Sequence, residues 1–243
     1  MAEDAKKPPG ARISTLIAET GPKSLAAESY HSLRPNIQLA NVDGLNRSIV
    51  VTSAGPGEGK TTTAANLGIV AAQAGSRVCL IDSDLRRPAL HRLFGLNNTQ
   101  GLTTALVEDL PFVKLAQLTR VPNLSVLTSG PLPPNPGGLI GSRRMRELLQ
   151  AASADFDLLL FDTPPLITVS DGVALSEQCD GVILVIRVGS VPHELIRRAA
   201  GQIEAVKGRI LGVVLNSVDF RRDHYYSEYR RYHLAYYGPE KTR

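Results

Sequence analysis

A short glycine-rich segment is the part of the sequence best suited to bind phosphate. It reads Ser53-Ala54-Gly55-Pro56-Gly57-Glu58-Gly59-Lys60-Thr61-Thr62, and it follows the pattern G-x-x-x-x-G-K-[ST] with Ala54 in place of the first glycine. Glycines let backbone N–H groups converge on a phosphate where a side chain would obstruct them, and a helix N-terminus adds partial positive charge. We therefore predict that this segment, the phosphate loop, binds ATP.

The side chains at the end of the phosphate loop have distinct expected roles. Lys60 can reach the β- and γ-phosphates, the Thr61 hydroxyl can ligate Mg²⁺, and Thr62 can bind the α-phosphate. The alternative is a glycine-rich turn with a chance Lys-Thr pair. We disfavour it because an apolar strand at 49–51 enters the loop and an alanine-rich helix at 60–74 leaves it. The predicted nucleotide-binding residues of the loop are Gly55, Pro56, Gly57, Glu58, Gly59, Lys60, Thr61 and Thr62.

Three aspartates stand where two buried strands are expected to end. Asp82 and Asp84 follow the apolar run 78–81, and Asp162 follows the run 158–161. The carboxyl ends of the strands form the functional edge of a parallel sheet. Carboxylates facing a magnesium nucleotide can hold metal-bound waters, and one can orient or deprotonate an attacking hydroxyl. The alternative is that each aspartate merely caps the next helix.

The order of the predicted elements indicates the fold class. Apolar runs at 49–51, 78–81, 124–127, 158–161, 182–188 and 210–215 predict strands, whereas 23–41, 60–74, 139–152 and a segment beginning at Pro192 predict helices. Strands alternating with helices are typical of an α/β fold, a doubly wound and mostly parallel sheet with helices on both faces. We expect a flexible segment at 1–20, one domain at 21–218 and a flexible tail at 219–243.

Composition limits the cellular setting without selecting a partner. The net charge of +4 is compatible with nucleic acid, a membrane surface or phosphate ligands. Cys79 and Cys179 each lie beside an apolar run and suggest no disulfide framework, which fits a reducing compartment. No apolar run reaches the roughly 18 residues that a membrane span requires. We therefore expect a cytoplasmic protein whose membrane contact is peripheral or made through a partner.

The C-terminal tail is unusually rich in tyrosine. Arginines lie among these tyrosines, so an RNA-binding or partner-binding segment is an alternative to an enzyme substrate. A membrane-surface segment is another alternative, which the acidic residues of the tail disfavour. We expect no nucleic acid partner, because a site that binds ATP needs a reaction or a partner that uses the nucleotide, and tail tyrosines that serve as an enzyme substrate would provide one. The six tyrosines of the tail are Tyr225, Tyr226, Tyr229, Tyr232, Tyr236 and Tyr237.

Taken together, these motifs resemble the bacterial tyrosine kinases of capsule and exopolysaccharide synthesis. The phosphate loop contains Pro56-Gly57-Glu58-Gly59-Lys60-Thr61, and Asp82-Ser83-Asp84-Leu85-Arg86-Arg87-Pro88 resembles the family's Walker A′ motif. The stretch Gly130-Pro131-Leu132-Pro133-Pro134-Asn135-Pro136, followed by Arg144-Met145-Arg146-Glu147-Leu148-Leu149, is similar to a further family block. Septum-positioning and partition ATPases share the fold but carry a signature lysine where this chain has Gly55.

The resemblance implies a reaction and its participants. ATP and Mg²⁺ would serve phosphorylation of the tail tyrosines of a neighbouring subunit, with Asp82 orienting or accepting the phenolic proton. Asp84 and Asp162 would hold the magnesium waters, and Asn216 would help to hold the adenine ring. An asparagine at a strand end can equally well satisfy backbone groups. Arg86 and Arg87 could reach phosphate or a subunit interface, or be solvated surface charge. The predicted catalytic residues are Lys60, Asp82, Asp84 and Asp162.

The resemblance also implies assembly and a membrane partner. Family members carry E-x-x-R-x-x-R for assembling a ring of subunits, and here the motif reads Glu28-Ser29-Tyr30-His31-Ser32-Leu33-Arg34. The spacing places Glu28, His31 and Arg34 on one helix face, with a pH-sensitive histidine at the middle position. A separate membrane polysaccharide co-polymerase would activate the kinase. The competing interpretation is a nucleotide-dependent assembly switch that hydrolyses ATP without phosphorylating protein.

Overall fold

The computed structural model describes residue 16 and residues 25–40, 47–108 and 110–218. The helices are α1 (Leu25–Leu39), α2 (Lys60–Gln73), α3 (Leu90–Phe94), α4 (Leu102–Val107), α5 (Pro136–Ile140), α6 (Arg143–Asp155), α7 (Asp171–Ser176) and α8 (His193–Ala205), with a 3₁₀ turn at Phe112–Lys114. The strands are β1 (Ser48–Ser53), β2 (Val78–Asp82), β3 (Gln117–Leu118), β4 (Leu124–Leu127), β5 (Leu158–Asp162), β6 (Gly181–Arg187) and β7 (Ile210–Asn216).

The seven strands form one sheet in the order β3-β4-β2-β5-β1-β6-β7. All neighbouring pairs are parallel except the short edge strand β3, which runs antiparallel to β4. The central strands β1, β2 and β5 lie side by side, so the phosphate loop and both acidic strand ends emerge at the same edge. The prediction of a mostly parallel, doubly wound sheet is confirmed.

Alternating side chains of each central strand divide the core into two layers. Val50 of β1 packs with residues of α5 to α8 on one face of the sheet, including Met145 and Ile203. Ile49 and Val51 point to the other face and pack with α1 and α2. Strands buried on both faces explain why β1, β2 and β5 read as continuous apolar runs.

The segment predicted as one helix at 139–152 is two helices, so that prediction was wrong in its bounds. Asn135 caps α5 by accepting a hydrogen bond from the Gly138 N–H at 3.1 Å. Ser142, in extended backbone conformation, caps α6 by accepting from the Met145 N–H at 3.1 Å. Because an N-cap residue does not have helical backbone angles, Ser142 interrupts the helical conformation and α6 begins as a separate helix.

The remaining predictions for the elements held, with bounds shifted by a residue or two. Helices α3, α4 and α7 and strand β3 were not predicted, since elements of two to six residues carry no readable periodicity. Within the described residues, no helix is long and apolar enough to cross a membrane. The predicted tail at 219–243 and nearly all of segment 1–20 lie outside the described residues.

Candidate active site

The phosphate loop connects the end of β1 to the start of α2. Gly57 and Gly59 have φ angles of 76° and 95°, in the left-handed region that glycine alone adopts freely. α2 begins at Lys60 directly after Gly59, which as the N-cap residue has no side chain that could cap the helix. The first N–H groups of the helix are therefore not satisfied by the N-cap residue, which suits binding of an anion.

Lys60 and Asp84 form an ion pair at this edge of the sheet. The Lys60 Nζ lies 3.6 Å from the Asp84 Oδ2, and both side chains are largely buried. Asp84 Oδ1 accepts a hydrogen bond of 2.9 Å from the Arg87 N–H, which fixes the orientation of the carboxylate. The lysine that should contact phosphate is thus already held beside a predicted magnesium-binding residue.

Asp82 and Asp162 are direct neighbours across β2 and β5. The two residues are paired in register, and the Ser83 N–H donates to the Asp162 carbonyl oxygen at 2.8 Å. Asp82 Oδ2 accepts hydrogen bonds of 2.9 Å from the N–H groups of Ala89 and Leu90 at the start of α3. The capping role that we considered as the alternative therefore applies to this one oxygen of Asp82.

Within the described part of the chain, the other carboxylate oxygens of this pair have no hydrogen-bond partner of normal geometry, although the Thr61 hydroxyl lies near Asp162. Asp82 Oδ1 and both carboxylate oxygens of Asp162 are buried without a partner of normal geometry among the described residues. Native proteins rarely leave buried polar atoms unpaired, and those that remain often mark a site for an ion, a water or a ligand. These oxygens are the strongest structural indication of a binding site at this edge.

Burial governs the acidity of the two neighbouring aspartates. Burial raises the pKa of Asp82 above the ordinary carboxyl range, and the nearby charge of Asp162 raises it further. Burial likewise raises the pKa of Asp162, whereas the charge of Lys60 and the nearby Thr61 hydroxyl oppose that rise. A carboxylate with a raised pKa is a better proton acceptor than an ordinary one, which is the property that a general base requires.

The donor set fits a magnesium ion. Mg²⁺ prefers oxygen ligands and usually keeps several waters, so it is commonly held through one or two carboxylates and the phosphates of a nucleotide. The unpartnered oxygens of Asp162 and the carboxylate of Asp84 have the required chemistry, and Thr61 lies at the start of α2. Gly55 and Pro56 lie in the loop and Thr62 in the first turn of α2; Gly55 and Thr62 are partly buried, and Pro56 is exposed.

The side chains of Glu58 and Asn216, two residues predicted to bind nucleotide, contact protein backbone, and their contacts with nucleotide stay predictions. The Glu58 side chain is 1% exposed and accepts hydrogen bonds from the N–H groups of Gly55 and Arg187. The Asn216 Nδ2 donates to the Glu58 carbonyl oxygen at 2.8 Å. For Asn216 this geometry agrees with the alternative that it satisfies backbone groups, and its contact with adenine stays a prediction.

Arg86 and Arg87, whose roles the sequence left open, differ in their contacts. The Arg86 Nε donates to Asp171 Oδ2 at 3.1 Å, and Asp171 is only 2% exposed at the start of α7. The Arg87 side chain is exposed. The ion pair between Arg86 and Asp171 joins the Walker A′ segment to α7. The two residues are 85 positions apart in the chain, so no local sequence pattern indicates this contact.

The predicted assembly residues lie away from this site, on α1. Glu28 and Arg34 are partly buried and His31 is exposed, so the three remain available on the surface of the single chain and their role stays a prediction. The six predicted phosphoacceptor tyrosines, Tyr225, Tyr226, Tyr229, Tyr232, Tyr236 and Tyr237, lie outside the described residues.

Comparison with known proteins assigns the family. The family model described as ParA, NUBPL iron-transfer P-loop NTPase, matches residues 44–235. Tyrosine-protein kinase YwqD of Bacillus subtilis is 43% identical over 234 residues, which cover 96% of this chain and 95% of that protein.

Solved structures agree with this result. The chimerical protein CapA2B2 superposes with a TM-score of 0.80 at 37% identity, covering 85% of this chain and 91% of that one. The kinase domain of Escherichia coli tyrosine kinase ETK superposes with a TM-score of 0.81 at 31% identity, covering 89% and 84%. The chain belongs to the bacterial tyrosine kinases of capsule and exopolysaccharide synthesis, which share the fold of the ParA-like P-loop NTPases.

Proposed function

We propose that the chain is an ATP- and magnesium-dependent tyrosine autokinase that phosphorylates the C-terminal tyrosines of a neighbouring subunit. The observation that carries this proposal is the unpartnered Asp82 Oδ1, buried beside Asp162 and on the same sheet edge as the Lys60–Asp84 pair. Such an oxygen offers a place for the proton of an incoming phenol, next to groups suited to a nucleotide.

The reaction moves one phosphoryl group between two oxygens. The bond from the γ-phosphorus to the β–γ bridging oxygen breaks, a bond from that phosphorus to the tyrosine oxygen forms, and ADP leaves. The phenolic proton passes to Asp82, whose raised pKa favours accepting it. Lys60 leaves Asp84 and neutralises charge on the β- and γ-phosphates.

Three other residues position the nucleotide. Thr61, Asp84 and Asp162 would hold Mg²⁺ directly or through waters, and this ion supplies charge neutralisation on the phosphates when it is bound. The backbone of the loop from Gly55 to Thr62 holds the phosphates in line for transfer. Asn216 would contact the adenine, and its hydrogen bond to the Glu58 carbonyl oxygen in the loop supports this assignment.

The tail supplies the acceptor. Six tyrosines lie within residues 219–243, and the stretch also contains Arg221, Arg222, Arg230 and Arg231. These arginines favour its approach to an active site lined by aspartates. Each phosphate adds about −1.5 to −2 charge, so repeated phosphorylation reverses this preference and releases the tail.

Assembly and activation complete the proposal. The α1 face of Glu28, His31 and Arg34 would contact a neighbouring subunit in a ring, which brings one tail to the next active site. A separate membrane protein of polysaccharide synthesis, a co-polymerase, would activate the kinase at the inner face of the membrane. In this way phosphorylation would regulate polysaccharide synthesis and export.

Intact mass after incubation with Mg-ATP separates this function from a nucleotide switch. The kinase predicts mass increments of phosphate on the wild-type chain, and these increments should be absent from Lys60→Met. The incubation is run with and without the cytosolic peptide of a candidate membrane partner. Turnover of ATP with no change in mass under either condition would contradict the kinase and favour the switch.

A further inference from the structure

Glu58 lies in the middle of the phosphate loop but turns its side chain away from solvent. It stands between Gly57 and Gly59, yet it is 1% exposed. Burying a carboxylate is costly unless its oxygens are hydrogen-bonded. Here Oε1 accepts from the Gly55 N–H and Oε2 accepts from the Arg187 N–H at 3.1 Å. One side chain therefore joins the first turn of the loop to the end of β6.

The backbone of Glu58 makes a second connection, to the end of β7. The Asn216 Nδ2 donates to the Glu58 carbonyl oxygen at 2.8 Å. The Asn216 side chain also packs against Gly59 so closely that a Cβ added there would lie 2.0 Å from Nδ2. Contacts of this kind leave the loop little room to move independently of the asparagine.

The two strand ends that Glu58 contacts are themselves paired. Arg187 and Asn216 are register partners across β6 and β7, and the Val188 N–H donates to the Asn216 carbonyl oxygen at 3.1 Å. We call the set Gly55, Glu58, Arg187 and Asn216 the Glu58 brace. It is a closed network in which displacement of the loop must displace both strand ends.

The brace also reaches Ser217, two residues before the tyrosine-rich tail begins at residue 219. The Ser217 N–H donates to the Asn216 Oδ1 at 2.9 Å, and Ser217 has a φ of 58°, a left-handed conformation that redirects the chain. The same asparagine side chain thus contacts the phosphate loop with its nitrogen and the first residue after β7 with its oxygen.

We propose that Glu58 is a positioning residue that couples occupancy of the phosphate loop to the point where the tail leaves the domain. Phosphate binding engages the backbone of the loop, and the brace transmits the resulting restraint to Arg187, Asn216 and Ser217. The link rests on the proposed function only in treating the tail as the acceptor. The coupling itself requires nucleotide binding and no phosphoryl transfer.

A carboxylate is the side chain that this network requires. Its two oxygens accept from two backbone N–H groups, whereas a glutamine offers one oxygen and turns an NH₂ group toward the other donor. Glu58→Gln therefore keeps the size of the side chain and loses one of the two connections. Glu58→Ala loses both connections and leaves the N–H groups of Gly55 and Arg187 without this acceptor.

Amide hydrogen exchange of the full chain, with and without saturating Mg-ADP, tests the coupling. In the wild-type chain, ADP should slow exchange in the loop and also in the segments containing Val188 and Ser217. In Glu58→Gln and Glu58→Ala, ADP should still protect the loop but no longer protect the segment containing Val188, which the Glu58 side chain reaches through Arg187. The segment containing Ser217 should keep its protection in these variants, because Asn216 bonds the backbone carbonyl of residue 58. Glu204→Gln, an exposed change on α8, is the matched control and should behave as wild type.

The affinity for Mg-ADP and a variant at Asn216 provide two further tests of the coupling. The Kd for Mg-ADP should rise about tenfold in Glu58→Ala and less in Glu58→Gln, in keeping with the loss of about one or two hydrogen bonds. Asn216→Ala removes the other arm of the brace, from the Glu58 carbonyl to Ser217, and should abolish the ADP protection of the segment containing Ser217 whether or not Glu58→Ala folds. Unchanged ADP protection of the Val188 segment in Glu58→Gln and of the Ser217 segment in Asn216→Ala would overturn the proposal, whether or not the chain is a kinase.

Discussion

The Nζ of Lys60 lies 3.6 Å from the Oδ2 of Asp84, so the lysine predicted to bind phosphate is paired with an aspartate predicted to bind magnesium. The ion pair keeps Lys60 from being an isolated charge in a largely buried position. In the proposed function, nucleotide binding would exchange this partner for phosphate oxygens. Magnesium would assist the exchange by binding Asp84.

Asp84→Asn should therefore weaken the dependence of nucleotide binding on magnesium. Without Asp84, Lys60 is free for phosphate in the absence of metal, while one magnesium-binding carboxylate is lost. Calorimetric titration with ATP in EDTA and in magnesium gives the ratio of the two affinities. This ratio should fall severalfold in the variant relative to wild type. Glu204→Gln serves as the control, and an unchanged ratio in Asp84→Asn would contradict the exchange.

Asp162→Asn should stabilise the nucleotide-free protein while removing activity. Burial raises the folded-state pKa of Asp162 above its unfolded value. The stability that this group contributes is complete below the unfolded pKa, near 4, and is lost as pH rises through the folded pKa. Asparagine does not ionise, so the variant does not lose stability as pH rises in this range. The gain in stability of Asp162→Asn over wild type should therefore be small at pH 4 and largest above neutral pH.

The measurement for Asp162→Asn is Tm against pH in the absence of nucleotide and metal. An increase of roughly 2–6 °C at pH 8, shrinking toward pH 4, is the expected result. Asp155→Asn, an exposed change at the end of α6, is the control for loss of one negative charge. A lower Tm for Asp162→Asn at pH 8 would show that its buried oxygens stabilise the free protein.

Two glycines of the phosphate loop should respond differently to alanine. Both have positive φ, but an added Cβ at Gly57 meets open space whereas one at Gly59 meets the Asn216 side chain. Gly57→Ala should cost about 1–2 kcal/mol of backbone strain. Gly59→Ala should cost roughly 1–3 kcal/mol more, because the asparagine must move.

Urea unfolding of both glycine variants gives these free energies. The double variant Gly59→Ala/Asn216→Ala should recover part of the loss, since the clash is absent once the asparagine side chain is removed. Equal destabilisation by Gly57→Ala and Gly59→Ala would show that the Asn216 contact does not restrict the loop.

Substitution of two adjacent arginines, Arg86 and Arg87, should change the stability of the protein by different amounts. Arg86→Met leaves the buried Asp171 without its ion-pair partner and should lower stability by about 1–2 kcal/mol. That figure is below the usual cost of breaking a buried pair because Arg86 is 44% exposed. Arg87→Met, at an exposed position, should change stability by less than about 0.5 kcal/mol. Chemical denaturation of both variants should separate them, and equal effects would mean that the Asp171 contact contributes nothing.

Local signals made much of this fold predictable from the sequence. The Ile49–Val51 run, the glycines after it and the aspartates after two later strands place the phosphate loop and the acidic residues on one sheet edge. Parallel strands bring their carboxyl ends together whatever the details of packing. The structure brings Lys60 and Asp84 into contact at that edge, as this reasoning requires.

What could not be predicted depends on contacts between distant parts of the chain. The carboxylate of Glu58 turns toward Arg187, which is 129 residues away, and Arg86 meets Asp171 across 85 residues. Neither contact has a pattern of spacing that sequence reasoning could use. The division of the helix at 139–152 had a local signal in Ser142, a good N-cap residue, which the apolar periodicity obscured.

The most direct test of transfer between subunits mixes two variants of the full chain, one without the catalytic lysine and one without the acceptor tyrosines. One chain carries Lys60→Met and keeps its tail tyrosines, and the other keeps Lys60 but has all six tail tyrosines changed to phenylalanine. The two are mixed with Mg-ATP and resolved by intact mass. Phosphate should be added to the Lys60→Met chain alone, because only that chain has acceptors and only its partner has the catalytic lysine. Absence of phosphate from the Lys60→Met chain, while wild type is phosphorylated under the same conditions, would contradict transfer to the tail of a neighbouring subunit.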